Sequence, residues 1–363
     1  MIKHHPGLVR DFLIQEVLLQ PRQPSPQLLP WALAALGLSA TTNATLVPVA
    51  GDASNRRYFR LQGPASVVIV VEAPPTTEKN HEFLKVRELL AGARVRVPAL
   101  LAADLDRGYM LLEDLGDSLL LPLLTPALAD DYYGQALAVL RQLALVDITH
   151  TNLPVYDNAL LAEEFSRFPE WFLERLLGLV ISNEERKLLD EVAGLLIGSA
   201  LAQPQVLVHR DFHSRNLMCV DEQTLAVIDF QDAVLGPVTY DAVSLLRDCY
   251  IGWPRARVEA WALAHRDALQ VSGVIPAVDD VTFLCWFDLM GLQRHLKVLG
   301  TFARLYLRDG KAGYLADLPL TISHITGVLE ARAQDGVALD GFRRWFDRRV
   351  LPVVAQQAWS KAP

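Results

Sequence analysis

The stretch QVLVHRDFHSRNLMCVDEQTLAVID, from Gln205 to Asp229, constrains this chain more than any other. Val206 to Val208 form a short β-type run that breaks into the loop His209–Asn216. Leu217 to Val220 read as a second strand, Asp221 to Thr224 as a turn, and Leu225 to Ile228 as a third strand ending on Asp229. Short strands therefore deliver Asp211, Asn216 and Asp229 to one edge. Phosphoryl transfer needs that division of labour. A carboxylate against the acceptor hydroxyl, here Asp211, orients it and takes its proton. Mg²⁺ prefers hard oxygen ligands, which the Asn216 amide and the Asp229 carboxylate supply. The alternative is a hairpin whose Asp and Asn merely cap turns.

The 363 residues suffice for two lobes with a large core. Hydrophobic residues make up 51% and mean hydropathy is +0.20, mostly from Ala and Leu in helical patterns. The longest stretch without Asp, Glu, Lys or Arg, Val192 to His209, is interrupted by Gln203-Pro204-Gln205 and predicts no membrane span. The first residues, MIKHHPGLVRDFLIQ, carry charges inside any apolar core of a signal peptide, and three widely separated cysteines suit a reducing compartment, so a cytoplasmic protein is expected. A net charge of −8 argues against a nucleic-acid partner but not against a nucleotide in a local pocket.

Residues 1 to about 40 are expected to be helical, the first 27 as an extension. Leu46 to Ala50, the small-residue segment Gly51 to Arg57, and Tyr58 to Leu61 outline strand, loop and strand, the form of a loop that folds over nucleotide phosphates; Gly51, Asp52, Ser54 and Arg57 are its candidate binding residues. With one glycine and no Walker A pattern, an ordinary hairpin turn fits that sequence better when it is taken alone, and only its position ahead of the catalytic loop favours the phosphate loop. The third strand, Val67 to Val71, has no lysine, so phosphate charge falls to Arg57, Arg60 or Lys79, or to metal and backbone. Asn80 to Ala91 is a helix, with Glu82 and Glu88 on its solvated face. Strands at Val97–Leu101 and Tyr109–Leu112 precede Glu113 to Asp117, where the pattern turns helical; backbone groups of Glu113 to Leu115 are the expected adenine contacts. The lobes are thus expected at 28–115, for the nucleotide, and 116–363, for the catalytic loop and acceptor.

Beyond that boundary Thr125-Pro126 reads as a helix start, and Ser182 to Glu185 as a capping box. Asp241 is expected to cap a helix from Ala242 to Tyr250 and to brace the catalytic loop. His213 and Asp232 are acceptor-side candidates. In a helix from Asp288 to about Tyr306, Leu289, Leu292, Leu296, Leu299 and Ala303 form an apolar stripe with Arg294, Lys297 and Thr301 opposite. That basic face is either solvated or reaches an anionic acceptor, for which the planar guanidinium of Arg294 is the better donor.

The pattern His-Arg-Asp-x-x-x-x-Asn followed by Asp229-Phe230-Gln231 resembles the catalytic and metal loops of the protein-kinase-like fold, an α+β bilobal architecture with a small β-rich lobe and a large helical one. The chain from Asp229 to Asp241 is too short for a protein kinase's activation segment. HRDFHSRN and IDFQDAVLGPVTYD are similar to the aminoglycoside phosphotransferase and choline kinase branch. GDASNRRYFR, Ala73-Pro74-Pro75, MLLEDLGD and QRHLKVLGTFARLYLRDGKAGYLADLP resemble, more narrowly, the bacterial anomeric sugar kinases of cell-wall recycling. The resemblance implies transfer of the ATP γ-phosphate, with Mg²⁺, to the C1 hydroxyl of N-acetylmuramic acid and N-acetylglucosamine; on that mechanism Arg294 is the expected partner of the lactyl carboxylate. The rival expectations are an aminoglycoside-modifying enzyme, which wants an acidic acceptor pocket, and a non-catalytic nucleotide-binding regulator.

Overall fold

Runs of β-branched and aromatic residues separated by polar turns build an antiparallel sheet from the first part of the chain. The computed structural model describes residues 23–49, 55–63, 67–149 and 151–361. The expected helix over the first 22 residues, and the candidates Gly51, Asp52 and Ser54, lie outside the described residues. The chain divides into two compact units, one comprising residues up to Glu78 with Leu100–Asp114, the other Lys79–Ala99 with Leu115–Pro363.

In the first unit, β1 (Thr45–Pro48), β2 (Arg57–Gln62), β3 (Val68–Glu72), β4 (Leu100–Asp104) and β5 (Tyr109–Glu113) form one sheet in the order β1-β2-β3-β5-β4. The fourth strand begins three residues later than expected, because Val97 to Ala99 leave the ladder and only Leu100 pairs, with Leu112. Helix α1 (Leu28–Ala35) covers the sheet, packing Leu28 and Ala32 against Phe59, Leu61, Val68 and Val70. Gly108 has a φ of +72°, and a Cβ there would fall 2.0 Å from the Ala73 carbonyl oxygen, so only glycine lets the β4–β5 turn approach the end of β3. Tyr109 Oη donates to Ser25 Oγ at 3.0 Å, and Arg57 Nη1 to the Gln23 carbonyl at 2.9 Å, which fastens residues 23–27 to the sheet.

The second unit is mainly helical. Its longer helices are α2 (Asn80–Gly92), α3 (Ala129–Ala144), α4 (Asn158–Arg167), α5 (Asn183–Leu201), α6 (Tyr240–Leu246), α7 (Arg255–Val271), α8 (Asp280–Asp309), α9 (Leu318–Arg332) and α10 (Val337–Trp345), and a single turn, α11 (Leu351–Val354), follows. Helix α2, assigned from sequence to the 28–115 lobe, belongs by packing to this unit, where Phe83 stacks on Phe230 at 4.9 Å. Helix α4 continues into a wider π-type helix, Phe168–Leu176. Phe168 and Phe172 meet Leu292, Leu296, Leu299, Phe342 and Phe346 in the core around α8.

Helix starts follow side-chain chemistry where a short oxygen is free to turn back. Ser182 accepts from Glu185 N at 3.2 Å while the Glu185 carboxylate accepts from Ser182 N at 2.7 Å, the capping box expected at α5. Asp279 caps α8 from Thr282 N at 2.8 Å, eight residues ahead of the expected start. Thr125 does not cap α3. Its carbonyl accepts from Leu128 and Ala129 in a turn, and the helix begins after it. Among the described residues no helix is long and apolar enough to cross a membrane.

Candidate active site

Two short ladders carry the site in the helical unit. The strand β6 (Gln205–Val208) pairs antiparallel with β9 (Val234–Pro237), and β7 (Leu217–Cys219) with β8 (Leu225–Val227). The loop His209–Asn216 connects β6 to β7, and Asp229 follows β8. Arg210 and Asp229 hold φ of +77° and +63°. Left-handed backbone is uncommon for an arginine and costs about 1–2 kcal/mol, so neighbouring groups must hold it.

The holding group is Asp241. It does not cap its helix as expected; it lies in the first turn of α6 and accepts from His209 N at 2.6 Å and Arg210 N at 3.0 Å. The expected brace is therefore present and the expected cap is not. Burial pushes the Asp241 carboxyl up to about 6 against the pull of those donors, which leaves it ionised at neutral pH. Asp248 braces the other end, accepting from Ser214 N at 2.9 Å and Ser214 Oγ at 2.5 Å. His209 Nε2 bonds the Ile228 carbonyl at 3.0 Å, tying the loop to the segment that presents Asp229.

Within this frame Asp211, Asn216 and Asp229 converge. Asn216 Nδ2 donates to the Asp211 carbonyl at 3.0 Å and lies 3.4 Å from Asp229 Oδ2. Gln231 Nε2 donates to the other Asp229 oxygen at 2.8 Å. With its Nδ2 committed, Asn216 keeps its amide oxygen for a ligand. Among the described residues no group of three or more His, Cys, Asp or Glu could hold a metal alone. An amide and a carboxylate nonetheless fit Mg²⁺, which takes few protein oxygens and completes its shell with water and phosphate.

Burial would raise the Asp211 carboxyl, but Lys297, His213, Arg294 and Arg210 outweigh it and hold Asp211 well below the usual carboxylate range. His213 is itself kept neutral by burial, so the charge comes from Lys297 and the two arginines. Two of those cations, Arg210 and Lys297, are organised by Glu164 of α4, fully buried, which accepts from Tyr156 and Arg210 and from Lys297 Nζ at 3.1 Å. Lys297 also donates to Tyr240 Oη at 3.1 Å.

Arg294 and Lys297 are thus buried, not on a solvated face. His213 packs edge-on against Tyr250 at 5.3 Å. Asp232 pairs with Lys79 at 2.6 Å. The three candidates for the missing lysine resolve differently: in the sheet unit Arg57 binds Glu72, its cross-strand partner, at 2.5 Å, and Arg60 binds Asp114 through Nε at 2.5 Å and Nη2 at 3.0 Å, while Lys79 belongs to the helical unit. Glu113 ends β5 and pairs with Val68, and Leu115 is half-buried. Glu82 and Glu88 are exposed, as expected.

Sequence reading missed Glu164 and Asp248. Glu164 carried a signal, because it shares the helical face of Leu161, Phe165 and Phe168, and an acid among core positions implies an internal cation. Asp248 carried no such signal, because α6 ends at Leu246 and the chain beyond it leaves the helical period.

A loop braced at both ends that brings the Asp211 backbone, the Asn216 amide and the Asp229 carboxylate together fits a phosphotransferase of the protein-kinase-like fold. The chain belongs to the phosphotransferase enzyme family, whose model matches residues 45–280. It is 43% identical over 308 residues to the N-acetylmuramate/N-acetylglucosamine kinase of Pseudomonas aeruginosa, covering 84% of this chain and 90% of that one. It is 38% identical over 291 residues to the protein of the same name from Neisseria meningitidis, covering 78% and 86%. Among solved structures, the choline kinase of Streptococcus pneumoniae superposes with a TM-score of 0.58 at 12% identity, covering 83% of this chain and 98% of that one. An ADP-bound aminoglycoside phosphotransferase gives 0.56 at 13%, with the same coverage.

Proposed function

We propose that this chain is an ATP-dependent sugar kinase that phosphorylates the anomeric C1 hydroxyl of N-acetylmuramic acid and N-acetylglucosamine. The observation that carries the reading is 43% identity, across 90% of its length, to a relative bearing that name. The cluster of Asp211, Asn216 and Asp229 supplies the matching chemistry. Asp211 is ionised at neutral pH and accepts the hydroxyl proton as the bond to phosphorus forms; an anomeric hydroxyl is more acidic than an ordinary alcohol, so a weak base suffices. Asn216 and Asp229 would hold Mg²⁺, which when bound neutralises charge on the transferring phosphoryl group. Gln231 fixes the Asp229 carboxylate through its 2.8 Å bond. We assign the nucleotide to Gly51, Asp52, Ser54 and Arg57 and to the backbone of Glu113 and Leu115. His213, Asp232 and Arg294 are the acceptor-side candidates, and the cations around Asp211 suit an acidic or neutral sugar better than a polycationic antibiotic. The acceptor is a small molecule, not a nucleic acid. ATP supply and the three free cysteines accord with a cytoplasmic setting.

The test is coupled ADP release with Mg-ATP against N-acetylmuramic acid, N-acetylglucosamine, choline and kanamycin, with Asp211→Asn in parallel. Turnover of both amino sugars, falling by roughly 10²–10⁴-fold in the variant, is expected. Phosphorus NMR should find the phosphate on C1. Turnover of choline or kanamycin instead, or of no acceptor, overturns the assignment.

A further inference from the structure

Among its described residues the helical unit buries four lysine and arginine side chains, Arg247, Arg266, Arg294 and Lys297. Three are answered by carboxylates: Arg247 by Asp288, Arg266 by Asp280 at 2.6 Å, and Lys297 by Glu164 at 3.1 Å. Arg294, 3% exposed, has no carboxylate partner among the described residues. Its Nη1 lies 3.5 Å from Cys249 Sγ, and its Nε has no hydrogen-bond partner. Burial raises the Cys249 thiol, so the sulfur stays protonated and does not neutralise the guanidinium. Removing a charge from water without a counter-ion is costly, and a fold that pairs the other three gains nothing by leaving this one bare.

A bound anion would resolve the imbalance. Arg294 acts electrostatically on both Asp211 and His213, which puts it near the acceptor base. His213 Nδ1 is a second buried polar atom without a partner, on a ring held by Tyr250. Arg294 contacts Cys249 and His213 packs on the adjoining Tyr250, and a planar guanidinium with an imidazole nitrogen in reach of one ligand matches a carboxylate. The two acceptors of the proposed reaction differ by one lactyl ether, so the position that takes its carboxylate stands empty when the sugar is neutral.

We propose that Arg294, with His213, forms an anion subsite that takes the carboxylate of an acidic acceptor and that admits a separate small carboxylate when the acceptor is neutral. The proposal rests on the sugar-kinase reading above. Propionate, the lactyl group without its ether oxygen, serves as the probe. At tens of millimolar, against potassium chloride as ionic-strength control, it lowers KM for N-acetylglucosamine and raises KM for N-acetylmuramic acid. Arg294→Met abolishes both effects and raises KM for N-acetylmuramic acid roughly 100-fold more than KM for N-acetylglucosamine, the size of one lost buried charge contact, while the loss of its field at Asp211 lowers kcat for both sugars alike. Arg294→Lys restores part of the difference, because the charge returns without the planar fork.

Inhibition of both acceptors alike by propionate, or an equal rise in KM for both in Arg294→Met, overturns the subsite and assigns Arg294 to the migrating phosphoryl group or to the core. Wild-type enzyme that turns over neither sugar overturns the function instead. The subsite then stands or falls on binding: propionate must raise the melting temperature of the wild type and not of Arg294→Met.

Discussion

Replacing Asp241 by Asn tests whether the catalytic loop is held by a carboxylate or by packing alone. The two oxygens of Asp241 accept from His209 N at 2.6 Å and Arg210 N at 3.0 Å. An amide has the same shape but only one acceptor oxygen, so one of those N–H groups would face an NH₂. Losing a buried hydrogen bond to a charged group costs about 1.5–3 kcal/mol. The loss falls where Arg210 already holds a φ of +77°, so the peptide preceding Asp211 is the one released. If about 2–3 kcal/mol is taken from transition-state positioning, kcat drops roughly 30- to 150-fold with little change in KM.

The pH dependence makes the test sharper. Burial sets the Asp241 carboxyl at about 6, against an ordinary value of 3.8. Protonation turns one acceptor oxygen into a donor, the state that Asn imitates permanently. Wild-type kcat should therefore fall with a one-proton slope below about pH 6, and the variant should be flat from pH 5 to 7.5. Stability runs the other way. Because the folded value lies above the unfolded one, the folded state binds more protons between 3.8 and about 6, so this group's contribution is complete below 3.8 and is lost as pH rises through 6. The whole displacement is worth about 3 kcal/mol, of which rather more than 1 kcal/mol returns between pH 7 and pH 5. Asp211 cannot mimic this, since its carboxyl titrates well below the window. Urea unfolding at pH 5 and 7, set beside the pH–rate profile, should find wild type gaining stability while losing activity, and Asp241→Asn doing neither. An acid limb that persists unchanged in the variant, or wild-type kcat in the variant, would refute the brace.

Glu164→Gln keeps the shape of the side chain but leaves Arg210 and Lys297 buried against a neutral amide, which should cost about 3–5 kcal/mol in urea unfolding. A change below about 1 kcal/mol would mean that solvent, not Glu164, carries those charges. Gly300→Ala should destabilise by at least about 1–3 kcal/mol despite alanine's better helix propensity, because its Cβ would sit 2.2 Å from the Arg167 carbonyl oxygen, and backbone there cannot yield cheaply. A more stable variant would refute the close approach of α8 to the end of α4.

The catalytic loop was legible because its signals are local: a β-branched run, a polar loop and a strand ending on an acid follow one another with no long-range information needed. The β3 position where a lysine was missed is a different case. Arg57 and Glu72 are both plain in the sequence, but only the register of β2 against β3 sets them opposite each other, and nothing in either strand alone fixes that register. Glu72 consequently ties the nearest strand arginine rather than leaving it free.

Helix α8 taught the harder lesson. Its leucine stripe was read correctly, and for the opposite face two readings stood, open to water, as periodicity ordinarily assigns polar residues, or turned to an anionic acceptor. Every residue from Phe287 to Gly300 is buried, so the helix has no such side. Its polar groups are instead met one by one: Asp288 by Arg247, Arg255 and Arg332, Gln293 by the Leu161 carbonyl, His295 by the Arg247 carbonyl, and Lys297 by Glu164. A central helix can carry charge on all faces only if each charge has an internal answer, since burying one without a partner costs more than the packing around it returns. Glycines at 291 and 300 were the available hint, for small residues inside a long helix mark close neighbours. On that logic a buried cation that finds no carboxylate inside the fold is the one that meets a ligand, and among the described residues of α8 it is Arg294.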